Sequence, residues 1–210
     1  MKNLRSHIIR YAKMLNTKKL SALRSGNVSA RYKSGFLITP SGAKYSSLKN
    51  KDIVFVSLKG TFDKTKGIPS SEWRFHQDIY KNKIEAQAIV HAHSQCATAI
   101  SAHGKKIPAF HYMVAMAGGN DIKCAKYATY GTRELSKNIL KALKQRNACL
   151  IGNHGQIAFS ENLSKAFELA EEVENLSNQY IKALKIGKPK ILSLIEMNKV
   201  LSKAKNYKRG

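Results

Sequence analysis

The chain is short of acid: 13 Asp and Glu stand against 37 Lys and Arg, a formal net charge of +24 over 210 residues. It has three cysteines, Cys96, Cys124 and Cys149, odd in number and widely spaced among apolar or small residues. That pattern excludes a disulfide framework and a CxxC metal knuckle, and it leaves buried free thiols as the expectation. Only four prolines occur, and no Pro/Gly/Ser-rich stretch, internal repeat or low-complexity tract divides the chain, so one domain spanning 1–210 is expected, with a C-terminal tail from about 204. No apolar run is long enough to cross a bilayer, and residues 1–10 lack the apolar core of a signal peptide, so a cytoplasmic protein without a membrane partner is expected. The positive charge raises a nucleic-acid reading. Its lysines are spread along the whole chain, however, with no RNP, helix-turn-helix or aromatic-interleaved basic motif, so a solvated surface that attracts small anions explains it better than specific nucleic-acid binding.

What the chain does have is the run Ala88 to Ser94, apolar and β-branched until it reaches His91 and His93. In a strand, residues two apart point to the same side, and their Cα atoms are about 6–7 Å apart, close enough for two imidazoles to meet one ion. A second apolar run, Leu150-Ile151, stops at Gly152-Asn153-His154-Gly155, a strand end bearing a third histidine. Three converging imidazoles leave an open metal position, the arrangement of a catalytic rather than a structural zinc site.

The remaining segments supply a frame. Leu4, Ile8, Ile9, Ala12 and Leu15 keep helical spacing; 25–31 and 36–39 form a hairpin about Lys33-Ser34-Gly35; 52–58 is a third strand. Pro69-Ser70-Ser71-Glu72 opens a helix to about Lys81. Ser70 and Ser71 can cap it, or cap it and hold an anion at its N-terminus. Glu72 can serve the helix dipole or face the histidines as ligand and base, and local pattern alone favours the dipole. Gly26-Asn27 and Ser41-Gly42 are turns able to offer N–H groups to an anion. Further helices are expected over 95–103, 131–146, 163–185 and 192–203, with a short one near 115–118, and strands over 148–153 and 156–159. Strands bracketed by helices on both sides predict an α/β fold, a single-domain three-layer α/β/α sandwich.

GNVSAR (26–31), LITPSG (37–42), PSSEWRFH (69–76), VHAHS (90–94), GTRELS (131–136) and NHG (153–155) together resemble the class II, metal-dependent sugar-phosphate aldolases. SSEWRFH, IPAFHYMVAMAGGN (107–120) and CAKYATYGTRELS (124–136) are the most specific stretches and place the resemblance nearest the fuculose-phosphate branch. The resemblance implies a mixed, largely antiparallel sheet and one Zn2+ per subunit held by His91, His93, His154 and Glu72, with Glu72 leaving the metal to act as acid/base. It implies a phosphate cradle of Asn27, Ser41, Gly42, Ser70 and Ser71. It also implies that Tyr112 reaches a neighbouring subunit's site in a homotetramer, and that Tyr207 closes over the substrate. The reaction implied is retro-aldol cleavage of a ketose 1-phosphate between C3 and C4. Epimerase and dehydratase chemistry on the same scaffold, and a non-catalytic binding module, are the alternatives. Two departures stand out: Arg24, where relatives carry threonine, and a chain that ends three residues after Tyr207.

Overall fold

The computed structural model describes residues 2–207, with side chains described over 4–204. Helix α1 (Lys2–Thr17) buries Ile8, Ile9, Ala12 and Leu15, the stripe its spacing predicts. The hairpin follows as β1 (Asn27–Tyr32) and β2 (Gly35–Ile38), with β3 (Val54–Ser57) beyond it. Helix α2 (Trp73–Asn82), β4 (Ala88–Ala92) and α3 (Gln95–Ala102) come next. The connection 107–125 carries three short strands, β5 (Ile107–Pro108), β6 (Asp121–Ile122) and β7 (Cys124–Ala125), around a 3-10 segment, Tyr112–Ala117. Helix α4 (Arg133–Ala142), β8 (Ala148–Ile151), β9 (Gly155–Ser160), α5 (Leu163–Ile186) and α6 (Leu194–Tyr207) complete the chain.

Seven strands pair in the order β3-β2-β1-β4-β9-β8-β7, every neighbour antiparallel except β7 with β8; β5 and β6 form a separate ribbon. Alternation divides the large sheet cleanly. Val28, Ala30, Val90 and Ala158 face a core with α1, α3 and α5, whereas Phe36, Ile38, Ile89, Ile157 and Phe159 face a second core with α2 and α4. The three-layer α/β/α architecture and the largely antiparallel sheet expected from the sequence are therefore what the chain adopts. Each large side chain buried in these cores contributes about 1.5–3 kcal/mol.

Four details differ from expectation. The α2 N-cap position is Glu72, with no side-chain cap bond; Ser70 Oγ accepts the Glu72 N–H at 3.3 Å from outside the helix. Helix α4 stops at Ala142 because Gln145 adopts φ 58° in the turn to β8. Helix α6 continues past 204 to Tyr207 rather than giving way to a tail. Cys149 is buried, but Cys96 and Cys124 are half-buried, and all three are free. No described helix is long and apolar enough to cross a membrane.

Candidate active site

The register of the sheet brings together the start of β1, the end of β4 and the start of β9: Asn27 pairs with His91, and Ala92 with Gln156. His91 shares the parity of Ile89 and so points toward the α2 layer, where Glu72 sits at the head of the helix. His93 lies just past the strand, its N–H bonded to Ser21 Oγ at 3.1 Å. His154 arrives on the β8–β9 turn, which packs so tightly on β4 that a Cβ at Gly155 would stand 2.3 Å from the Ala92 carbonyl oxygen. Gly26 has the same function beside β1: its φ is +79°, and a Cβ there would meet His91 O at 2.7 Å.

These four side chains converge. His93 Nε2 lies 2.9 Å from His91 Nε2 and 3.0 Å from His154 Nε2. Glu72 Oε2 is 3.2 Å from His91 Nε2, and Oε1 is 3.1 Å from His154 Nε2. One ligand atom from each residue falls within 4.8 Å of all the others.

Proton positions decide what such a cluster can hold. His91 Nδ1 lies 2.7 Å from the Gln156 backbone carbonyl, which only accepts, so Nδ1 keeps a proton and in the neutral ring Nε2 presents a lone pair toward the cluster. Glu72 Oε1 is buried and, among the described residues, accepts no hydrogen bond. Lone pairs turned on one another in a buried space are unfavourable until a cation lies between them. The donor set of three imidazole nitrogens and one carboxylate suits a divalent transition metal. Burial works against ionising Glu72, but the rings of His91 and His154, when they carry positive charge and donate to its oxygens, outweigh it and hold the carboxyl well below the usual range. Burial, with His91 and His154 nearby, pushes His93 down to about 3, so its ring stays neutral and able to ligate.

A cleft of about 360 Å³ opens over this cluster. Asn27, Ser41, Gly42, Ser70 and Ser71 line it beside Glu72, His93 and His154, so the five expected anion-binding residues share one space with two of the three histidines, and His91 lies buried beneath. Arg24 also lines it, its guanidinium donating to the Gly42 carbonyl at 3.1 Å. Asn27 Nδ2 donates to Ser70 Oγ at 3.1 Å and to Glu72 Oε2 at 3.0 Å, joining the anion side to the metal side. Tyr127, Tyr130 and Asn153 complete the wall and had no separate signal in the sequence. Tyr112 is not part of this lining: it is 54% exposed in the 3-10 segment and stacks on His111. Tyr207 ends α6, and its side chain lies outside the described residues.

The profile of the Class II Aldolase and Adducin N-terminal domain family matches residues 6–181. The chain belongs to the class II aldolase and adducin family. An L-fuculose phosphate aldolase from Escherichia coli K12 is 50% identical over 184 residues, covering 87% of this chain and 85% of the relative. A 5-methylthioribulose-1-phosphate/5-deoxyribulose-1-phosphate aldolase from Rhodospirillum rubrum is 47% identical over 204 residues, covering 97% of this chain and 92% of the relative. Among solved structures, an L-fuculose 1-phosphate aldolase superposes with a TM-score of 0.94 at 38% identity, covering 98% of this chain and 97% of that one. Class II aldolases use a divalent metal, and the Glu72/His91/His93/His154 group is where this chain could hold it.

Proposed function

We propose that this chain is a zinc-dependent aldolase that cleaves a deoxyketose 1-phosphate, L-fuculose 1-phosphate or a close relative, to dihydroxyacetone phosphate and a short aldehyde, L-lactaldehyde in the fuculose case. The observation that carries the proposal is the convergence of three imidazole Nε2 atoms and the Glu72 carboxylate at the floor of the cleft that Asn27, Ser70 and Ser71 line. A divalent cation at that point supplies a Lewis acid for the C2 carbonyl and so makes negative charge at C3 tolerable.

The chain's own residues do the rest. Ser41, Ser70 and Ser71 hydroxyls, the Asn27 amide and the Gly42 backbone hold the phosphate, fixing the reacting carbons without entering the chemistry. Tyr112 of an adjacent subunit takes the proton from the C4 hydroxyl as the C3–C4 bond breaks. Glu72 then delivers a proton to C3, and Tyr207 closes the site. Sites shared between subunits of a homotetramer accord with Tyr112 standing exposed on the single chain.

A second reading concerns the substrate. The Rhodospirillum rubrum relative, named for 5-methylthioribulose and 5-deoxyribulose phosphates, aligns with nearly the whole chain, whereas the Escherichia coli relative aligns with less of it at slightly higher identity. Both readings require release of dihydroxyacetone phosphate, and the aldehyde tells them apart. The test is a panel of L-fuculose 1-phosphate, 5-deoxyribulose 1-phosphate and 5-methylthioribulose 1-phosphate, with products identified by NMR and metal content measured on the same sample. Chelator-sensitive release of dihydroxyacetone phosphate from at least one of them is expected. Epimerised or dehydrated products, or no turnover from a metal-loaded protein, would overturn the aldolase reading.

A further inference from the structure

Asn27 and Ser29 are two apart on β1 and face one side; His76 and Tyr80 are four apart on α2 and share one stripe. Strand and stripe meet in a buried polar line whose Ser29, His76 and Tyr80 have no part in the proposed reaction. Asn27 Oδ1 contacts His76 Nε2; His76 Nδ1 lies 2.7 Å from Ser29 Oγ; and Ser29 Oγ lies 2.8 Å from the Tyr80 hydroxyl. All four residues are no more than 2% exposed.

Donor and acceptor rules give this line a direction. The Glu72 carboxylate only accepts, so the Asn27 atom facing it is the amide nitrogen, and Asn27 Oδ1 faces His76. His76 Nε2 must therefore carry the ring proton. Burial, aided by His91, pushes His76 down to about 3, so the ring holds a single proton and Nδ1 accepts from the Ser29 hydroxyl. The Ser29 oxygen then accepts from Tyr80. Hydrogen bonds run one way, from Tyr80 through Ser29, His76 and Asn27 to Glu72.

We infer that His76 is a positioning residue for the metal-binding carboxylate: it fixes the Asn27 amide, which holds Glu72 Oε2 and leaves Oε1 turned to His154. Asn27 divides its two amide protons between Glu72 Oε2 and Ser70 Oγ, so the line that sets the carboxylate also sets a hydroxyl of the phosphate cradle. The inference rests on the metal reading of the cluster. Packing alone is the competing explanation, because the His76 ring stacks on Phe75 at 4.9 Å and faces Phe36 at 6.4 Å.

The test measures zinc affinity of metal-free protein by competition with a chromophoric chelator, alongside kcat, KM and the melting temperature of the metal-free forms. His76→Leu removes the donor, and about tenfold weaker zinc binding is expected, the low end of the cost of losing an outer-shell partner, because His76 acts on the ligand through Asn27. His76→Gln keeps an N–H near the position of Nε2, and zinc affinity within about threefold of wild type is expected. Should His76→Leu fail to fold, His76→Asn takes its place, since its shorter amide meets Ser29 but not Asn27. Equal zinc affinity in the Gln variant and in the donor-less variant, at whatever level, would reduce His76 to packing and overturn the inference. Wild-type protein that binds no zinc would remove the metal reading and the inference with it.

Discussion

The weight of the site falls on Glu72, whose two oxygens are placed differently: Oε2 lies between the Asn27 amide and His91, Oε1 against His154. Changing it to Gln leaves an oxygen that can still approach the metal but no group that can shuttle a proton. Zinc content should stay near one per chain in elemental analysis, while kcat falls about 10²–10⁴-fold, the range attributed to a positioned acid/base. His154→Ala should behave differently, losing zinc and turnover together, because it removes a ligand atom. Zinc retained by the His154 variant, or near-normal turnover of the Glu72 variant, would contradict these roles. Away from the site, Asp121 offers a pH test. Burial opposes its ionisation, but Lys106 Nζ at 2.9 Å and Arg146 Nη2 at 2.7 Å hold its carboxyl below the usual range. A carboxyl lowered in the folded state stabilises in full above its unfolded value of about 3.9 and loses that contribution as pH falls from there through the lower folded value. Asp121→Asn also leaves the buried Arg146 without its ionic partner, keeping only neutral acceptors, so it should cost about 1–3 kcal/mol at pH 7. The gap in melting temperature between wild type and variant should narrow below about pH 4; a gap constant from pH 7 to 3 would refute the assignment.

Elements place these residues, and there the turns matter as much as the strands. Gly155 lets the β8–β9 turn lie against the end of β4, and a methyl at that position would stand 2.3 Å from backbone that cannot yield cheaply. Gly155→Ala should therefore swing His154 away from His93. Expected results are zinc binding weakened at least tenfold and a stability loss of about 1–3 kcal/mol from overpacking. Unchanged zinc affinity would mean that the turn does not set the ligand. Much of this frame was legible in the residues. The HAH ending of an apolar run and the histidine between glycines marked two strand ends, whereas which faces of β1, β4 and β9 meet which core came only with the structure. Strands β5, β6 and β7 escaped because each is two residues long, too short for alternation to register. The serine cap on α2 was misread for a different reason: a local rule places a hydroxyl at the cap, but the cap position is filled by Glu72, held there by tertiary partners 19 and more residues away. His76 was overlooked because a histidine one turn beyond Glu72 means nothing until β1 supplies Asn27 and Ser29 opposite it.

At the scale of the whole molecule, the single chain brings the Glu72 and histidine cluster under its cleft but leaves Tyr112 outside that cleft, 54% exposed on a segment that also exposes Met116 at 43%. Asp121 and Arg146 anchor the segment bearing it: Arg146 donates to both the Asp121 carbonyl and carboxylate, and a Cβ on Gly119 would strike the guanidinium at 2.1 Å. A tyrosine presented outward on so firmly tied a segment suits a reactive group lent to a neighbour. The proposed sharing would separate two functions onto two chains of one site, which makes it testable by mixing. Glu72→Gln and Tyr112→Phe should each be nearly inactive alone as homo-oligomers. Unfolded together and refolded, or co-expressed, they assort at random, and about a quarter of sites in a cyclic ring would pair an intact Glu72 with an intact Tyr112 from next door. Recovery of dihydroxyacetone phosphate release toward that fraction of wild-type activity is expected. If Tyr112 served its own chain's site instead, no mixture could contain a complete site, and activity would stay at the level of the separate variants.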